Sequence, residues 1–178
     1  MAPNRPPPPP AWLAVKMVVY TVSFLAAVLF AAPYGFHALG RLIYPPSLHE
    51  WLAPGDVQRA VGGALAIGGL AGYLVCSLWL VIVGRGPFVE FDPPTRFVAT
   101  GPYRWMRNPI AAMLLLTVLG EAVYFGSAGI LTLFALGLLF AQYQVTRIEE
   151  PRLRQRFGDD YVEYCRRVSR WWPRPPAR

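Results

Sequence analysis

Charge is scarce in this chain. Only 15% of its 178 residues are charged, against an apolar fraction of 54%. A water-soluble domain carries about a quarter charged residues, so an ordinary soluble globular fold is a poor fit and the apolar excess has to be placed in lipid. Cysteine is scarce too. Cys76 lies in an apolar run and Cys165 in a charged tail, which puts them at different depths, implies no disulfide framework and shows no metal-ligand spacing. The two histidines, His37 and His49, share one segment without a cysteine partner and read as loop residues rather than a metal site. Acidic residues number 10 against 17 basic ones, a formal net charge of +7. In a soluble protein that excess would point to nucleic acid. Here the arginines flank apolar segments, so the positive-inside rule accounts for them and no nucleic-acid partner is expected.

What is present in abundance is long apolar sequence, and runs of about 20 such residues read as membrane spans. A proline-rich leader, Arg5 to Pro10, cannot pack as a helix and is expected to be disordered over residues 1–11, leaving a single domain over 12–178. The first span is expected from Leu13 to Pro33. Cleavage after Ala31-Ala32 is the rival reading, but the apolar core from Met17 is long for a signal peptide and further spans follow. A loop is expected from Tyr34 to Arg59, punctuated by Pro45-Pro46 and Pro54-Gly55. The second span, Ala60 to Val83, carries Gly62, Gly63, Gly68, Gly69 and Gly72, small residues that let helices approach closely in lipid. The third, Pro109 to Phe125, is short: about 24 Å at ~1.5 Å per residue. Gly126-Ser127 turns the chain into a fourth segment, Ala128 to Ile148, which Pro151 is expected to break or redirect. Glu121 is expected near the outer interface, because deep burial would require a partner.

Beyond Pro151, Leu153, Phe157, Tyr161, Tyr164 and Val168 recur at helical spacing among charged residues, the pattern of an amphipathic helix at a membrane surface. Trp171-Trp172 fits an interfacial anchor. Lysine and arginine concentrate at the N-terminus, in the segment from Gly84 to Asn108 and in the C-terminal tail, so both termini and that segment are expected on the cytoplasmic side, with the Gly126-Ser127 turn facing the other way.

One constellation bears on chemistry. Gly101-Pro-Tyr-Arg-Trp-Met-Arg-Asn-Pro109 opens the third segment, and Glu149-Glu150 follows the fourth. A tight hairpin brings these ends together. Asn108-Pro109 is by itself a good helix start, with Asn as N-cap and Pro in the first turn. Asp in place of Asn108 is accordingly expected to keep the cap. The helix start leaves Tyr103, Arg104 and Arg107 unexplained. A helix N-terminus beside arginine forks suits a ligand bearing a carboxylate, although a positive-inside loop would carry the same residues. Two carboxylates at a helix C-terminus oppose its dipole, unless Pro151 opens a new helix or the acids pair with Arg147 or Arg154. Such a pair could accept hydrogen bonds from ribose hydroxyls or an ammonium group. Gly84-Arg85-Gly86 alone carries little information without a third glycine and a βαβ context.

These motifs, with Phe157-Gly-Asp-Asp-Tyr161, Tyr164, Trp172-Pro173 and Asp92-Pro-Pro94, resemble the isoprenylcysteine carboxyl methyltransferase family and the related phospholipid N-methyltransferases, small bacterial members included. The resemblance covers about the last 95 residues well and the first 80 as hydropathy. It implies an all-α integral membrane protein of about four transmembrane helices, with a helical hairpin and a C-terminal amphipathic helix capping a cytoplasmic-side cofactor pocket. Residues 84–173 would form the cofactor-binding core, in a bacterial inner membrane.

The implied reaction is methyl transfer from S-adenosylmethionine to a membrane-partitioned acceptor: an isoprenylcysteine-like carboxylate, a lipid amine or a hydrophobic small molecule. The resemblance implies cofactor contacts from Gly84, Gly86, Gly101, Pro102, Tyr103, Arg107, Asn108, Pro109, Glu149 and Glu150, with Arg107 and Glu150 as the candidate catalytic pair. That Arg104 or Arg107 orients a substrate carboxylate is an expectation from their charge, not from the motif, and no metal is expected. Asn108 stands where many members have His, and Ile110-Ala111-Ala112 where many have a Tyr and Gly. Asn can hydrogen-bond but cannot titrate. Two other classes remain open on the sequence: a non-catalytic NnrU-like small membrane protein, and a relative of nicotinamide-dependent membrane reductases, whose longer chains share a Gly-Pro-Tyr-Arg run.

Overall fold

The computed structural model describes residues 10–84 and 97–175. Its helices are α1 (Pro10–Ala26), α2 (Ala32–Ile43), α3 (Pro46–Trp51), α4 (Asp56–Gly84), α5 (Pro109–Phe125), α6 (Ala128–Gln144) and α7 (Glu150–Arg167), with a 3₁₀ turn at Gly101–Arg104. No strand occurs among the described residues.

Two prolines shape the long helices without ending them. Proline donates no backbone N–H and its ring crowds the preceding turn. Before Pro33 and before Pro151 the chain widens into π-helix, at Ala27–Ala31 and Val145–Glu149, and each proline then sits in the first turn of the next helix. The first helical segment therefore continues past Pro33 to Ile43 instead of ending there. The loop expected from Tyr34 to Arg59 is largely helical, and His37 and His49 lie on α2 and α3. Likewise the fourth segment does not break at Pro151. It runs on through α7, and the break comes at Gly158, which has φ 55° and ψ −131°.

Three helical stretches are long and apolar enough to cross a membrane: Val18–Ile43, Asp56–Gly84 and Ala128–Arg167. The last, 40 residues long and broken at Gly158, is longer than the about 20 residues that a hydrocarbon core takes, so its charged C-terminal part projects beyond the lipid. Helix α5 has 17 residues, about 25 Å, and is the short member that its sequence announces.

The glycines of α4 create its contact with α5. A Cβ on Gly62 would strike the backbone nitrogen of Tyr124, and one on Gly120 would strike that of Ala66. A Cβ on Gly69 would lie 2.6 Å from the nitrogen of Thr117. Helices α2 and α6 meet the same way, with a Cβ on Gly40 falling 2.8 Å from the Cα of Gly129. Between these seams Val118, Ala122 and Ile130 are buried with Val28, Leu133 and Phe134 against them. The α5–α6 turn depends on Gly126, whose φ of 56° is left-handed and whose missing side chain admits the carbonyl of Leu52. Ser127 caps α6, its Oγ accepting from the N–H of Ile130 at 3.3 Å.

A second, aromatic core lies beyond the lipid-length segments. Tyr161, Tyr164 and Val168 are buried against Phe97, Leu153 and Phe157, with the Phe97 ring edge-on to Tyr161 and Tyr164 at 5.9 and 5.2 Å. The apolar stripe expected of the tail thus becomes a core, re-aimed at Gly158.

The glycine seam gives a paired prediction. Gly120→Val should lower stability by about 1–3 kcal/mol through overpacking, whereas Gly68→Ala, whose new Cβ meets nothing within 4 Å, should be near neutral; unfolding in mild detergent measures both. For topology, Ala53, exposed beside the Gly126 turn, should react as Ala53→Cys with a membrane-impermeant maleimide from the non-cytoplasmic face. Labelling only from the cytoplasmic face would invert the expected orientation of the whole set of helices.

Candidate functional site at the head of α5

The hairpin brings the start of α5 to the end of α6, where the tail folds back over both. Glu150 is the buried centre. Both its oxygens face Arg170, with Nε to Oε1 at 2.8 Å and Nη2 to Oε2 at 2.9 Å. Arg107 Nη1 adds a contact to Oε1 at 3.0 Å and donates to Cys165 Sγ at 2.7 Å. The Arg170 guanidinium is held charged above its ordinary range, chiefly by its hydrogen bonds to Glu150. A two-pronged Arg–carboxylate pair adds orientation as well as attraction.

The backbone repeats this connection. The N–H of Arg107 donates to the carbonyl of Ser169 at 2.9 Å, and the N–H of Arg174 to that of Trp105 at 3.0 Å. Asn108 Nδ2 donates to the carbonyl of Arg170 at 3.3 Å, and the Tyr164 hydroxyl to that of Tyr103 at 2.8 Å. Trp171 Nε1 donates to Gln142 Oε1 at 2.8 Å, tying the tail to α6 as well. The tail is a strap across the residues that open α5.

Asn108 occupies the N-cap position of α5, but its side chain makes no cap hydrogen bond. The expected capping role is corrected: the amide is turned outward to the strap. Gly101 has φ 58°, and a Cβ there would strike the Trp79 ring of α4, so this turn closes directly on the second span. Tyr103 is buried, and its phenol is pushed up by burial first, then by the nearness of Cys76, Glu149 and Tyr164. That places Glu149 on the Tyr103 side while remaining exposed, so adjacent glutamates do different things. Pro102 is half-buried, Pro109 and Gly84 are buried, and Arg104 is exposed. Gly86, Arg85, Arg96 and Asp92-Pro-Pro94 lie outside the described residues, as does the leader up to Pro9.

Sequence reasoning missed Arg170 and Cys165 as members of this cluster. Nothing in the spacing pairs Arg170 with a glutamate 20 positions earlier across a kinked helix; only the tail's foldback does so. The expected alternatives for Glu150, Arg147 and Arg154, make no ion pair with it among the described residues within 4.0 Å.

The described elements form a helical integral membrane protein whose one polar, arginine-tied cap sits where a short helix begins and a long one leaves the lipid. Its sequence matches the profile of phospholipid methyltransferases over residues 57–160. That is more than half of the chain, running from the start of α4 through the Glu150 centre and past Gly158, and the chain belongs to this family of membrane methyltransferases. No curated protein matches it.

Removing one partner from a buried ion pair typically costs about 3–5 kcal/mol, because the other charge is stranded. Arg170→Ala should therefore loosen the strap and expose the chain after Gly158 to protease. Arg170→Lys, which keeps charge but loses the fork, should fall between. Asn108→Asp, neutral if the side chain capped α5, should instead destabilise, because it sets a carboxylate against the Arg170 carbonyl. An Asn108→Asp melting temperature equal to wild type would restore the capping role.

Proposed function

We propose that this protein transfers a methyl group from S-adenosylmethionine to a membrane-partitioned acceptor: an isoprenylcysteine-like carboxylate, a lipid amine or a hydrophobic small molecule. The cofactor-binding core is residues 84–173 within a single domain, 12–178, with termini on the cytoplasmic side of a bacterial inner membrane. The observation that carries the reading is an unspent donor inside the family-matched segment. Arg107 Nε is buried and has no hydrogen-bond partner among the described residues, although Nη1 of the same side chain is fully engaged. A buried N–H left open costs about 1–3 kcal/mol, a cost that an anionic group at this place would offset.

The donor set fits the cofactor's amino-acid end. Arg107 Nε and the amides of the first turn of α5, after Asn108 and Pro109, suit a carboxylate. Glu149, exposed beside Tyr103, suits an ammonium or ribose hydroxyls. Gly84, Gly101, Pro102 and Tyr103 supply the close, largely apolar walls, and Gly86 continues the segment after Gly84. When bound, the cofactor supplies a methyl group already activated by its sulfonium. The protein's task is then to align donor and acceptor and to keep water out. Arg107 orients the cofactor. Glu150, with both oxygens committed to arginines, is a positioning residue that fixes Arg107. Exposed Arg104 is available to an acidic group on the acceptor.

The test is titration of detergent-purified protein with S-adenosylmethionine and, separately, NADPH. We expect binding of the first alone. Glu149→Gln should weaken it roughly ten- to hundredfold, as for a lost charged hydrogen bond. Methyl-labelled cofactor incubated with protein and a membrane-lipid extract should leave label in the lipid phase. Binding of NADPH instead, or unaltered affinity in Glu149→Gln, would sink the assignment.

A further inference from the structure

At the other end of α5 two apolar grooves converge on a single carboxylate. The larger, about 700 Å³, lies between the first helical segment and the α5–α6 hairpin, with Phe30, Tyr34, Phe125 and Ile130 in its walls. The smaller, about 320 Å³, lies between α4 and α5, at Ile67 and Tyr124. Glu121 and Phe125 line both. Phe30, Tyr34 and Ile67 are 71%, 78% and 72% exposed, so both grooves open sideways toward lipid and not into the packed core.

Glu121 Oε2 is shielded and has no hydrogen-bond partner among the described residues. Among the described residues no lysine or arginine lines either groove. His37 faces the larger one, but its Nδ1 is engaged by Ser127 Oγ at 2.8 Å. A carboxylate shielded among apolar side chains with nothing opposite it is costly, and a stability role leaves Oε2 unexplained. We infer that these grooves form a binding site for a small lipophilic amine in its protonated form, the ammonium donating to Glu121 and the apolar body lying along Phe30, Phe125 and Ile130. The larger groove has the volume of a single small-molecule site. Charge complementarity selects a cation over a neutral lipophile, and the orphaned acceptor selects one that carries N–H donors.

Glu121 lies 13 residues along α5 from Asn108, about 20 Å at ~1.5 Å per residue. A ligand here is therefore too far from the head of α5 to be the methyl acceptor in the same complex, and the inference stands whether or not the methyl-transfer reading does.

The test uses the full chain in a non-ionic detergent with decylamine and 1-decanol, which share a tail and differ in charge. Decylamine should raise the melting temperature of wild type in a saturable way, and 1-decanol should not. Glu121→Gln should weaken decylamine binding at least tenfold. A lipophilic carbodiimide should modify Glu121, read by mass spectrometry, and N,N-dimethyldecylamine, a tertiary amine that cannot form an amide with the activated carboxyl, should protect it where 1-decanol does not. Equal effects of amine and alcohol on wild type, unprotected labelling, or full amine affinity in Glu121→Gln would each overturn the assignment. Should Glu121→Gln fail to fold, the two wild-type comparisons decide alone.

Discussion

The carboxylate of Glu150, shared between Arg107 and Arg170, is the constraint on which the polar end of the molecule depends. The hairpin brings the start of α5 to the end of α6, and the C-terminal tail is fastened over both where one buried anion is addressed from two sides, at 2.8 to 3.0 Å. Ion pairs of this kind contribute little net stability against an apolar alternative, yet are expensive to break halfway. Their value here is geometric. With the strap in place, Tyr103 is buried, Arg107 is held and the first turn of α5 is presented in a fixed direction.

The lipid-embedded part is organised on a different principle. Lipid supplies no hydrophobic drive for helix association, so contact rests on shape. Small residues on α4 and α5, and again on α2 and α6, let backbones touch. The two regimes divide the molecule. Glycine seams hold the spans together, and aromatic rings with arginine–glutamate contacts hold the cap together. Helix α5 belongs to both, which is why its head and its foot carry such different surroundings.

Much of this was legible beforehand, for identifiable reasons. Apolar length alone located α4, α5 and α6, and Gly126-Ser127 marked the turn. The glycine density of the second span foretold a close neighbour. The spacing of Leu153, Phe157, Tyr161, Tyr164 and Val168 foretold a shared face, and all five do meet. What failed involved proline and non-local pairing. Pro33 was read as an end because that is its effect in a regular α-helix, and nothing in composition signals a π turn; for Pro151 the alternative, that it opens a new helix, is the one that holds. Asn108 was read as a cap because capping is a local rule, whereas its partner is the carbonyl of Arg170. Arg170 itself was invisible, because its pairing with Glu150 follows from a fold-back that no periodicity encodes.

The π turn at Val145–Glu149 makes the identity of the central acid a matter of counting. A π turn holds one residue more than an α-turn would, and each residue of an α-helix advances the side-chain direction by about 100°. Within the π turn the chain is underwound by about that much, so the extra residue is absorbed and the side chains on either side keep the register of an uninterrupted α-helix. Removing a single residue between Val145 and Glu149 would regularise the helix and leave Glu150 facing both guanidiniums. One further residue has no such reserve: it would swing Glu150 about 100° away and bring Glu149 round into its place. Length in this segment is thus tolerated in one direction and decisive in the other.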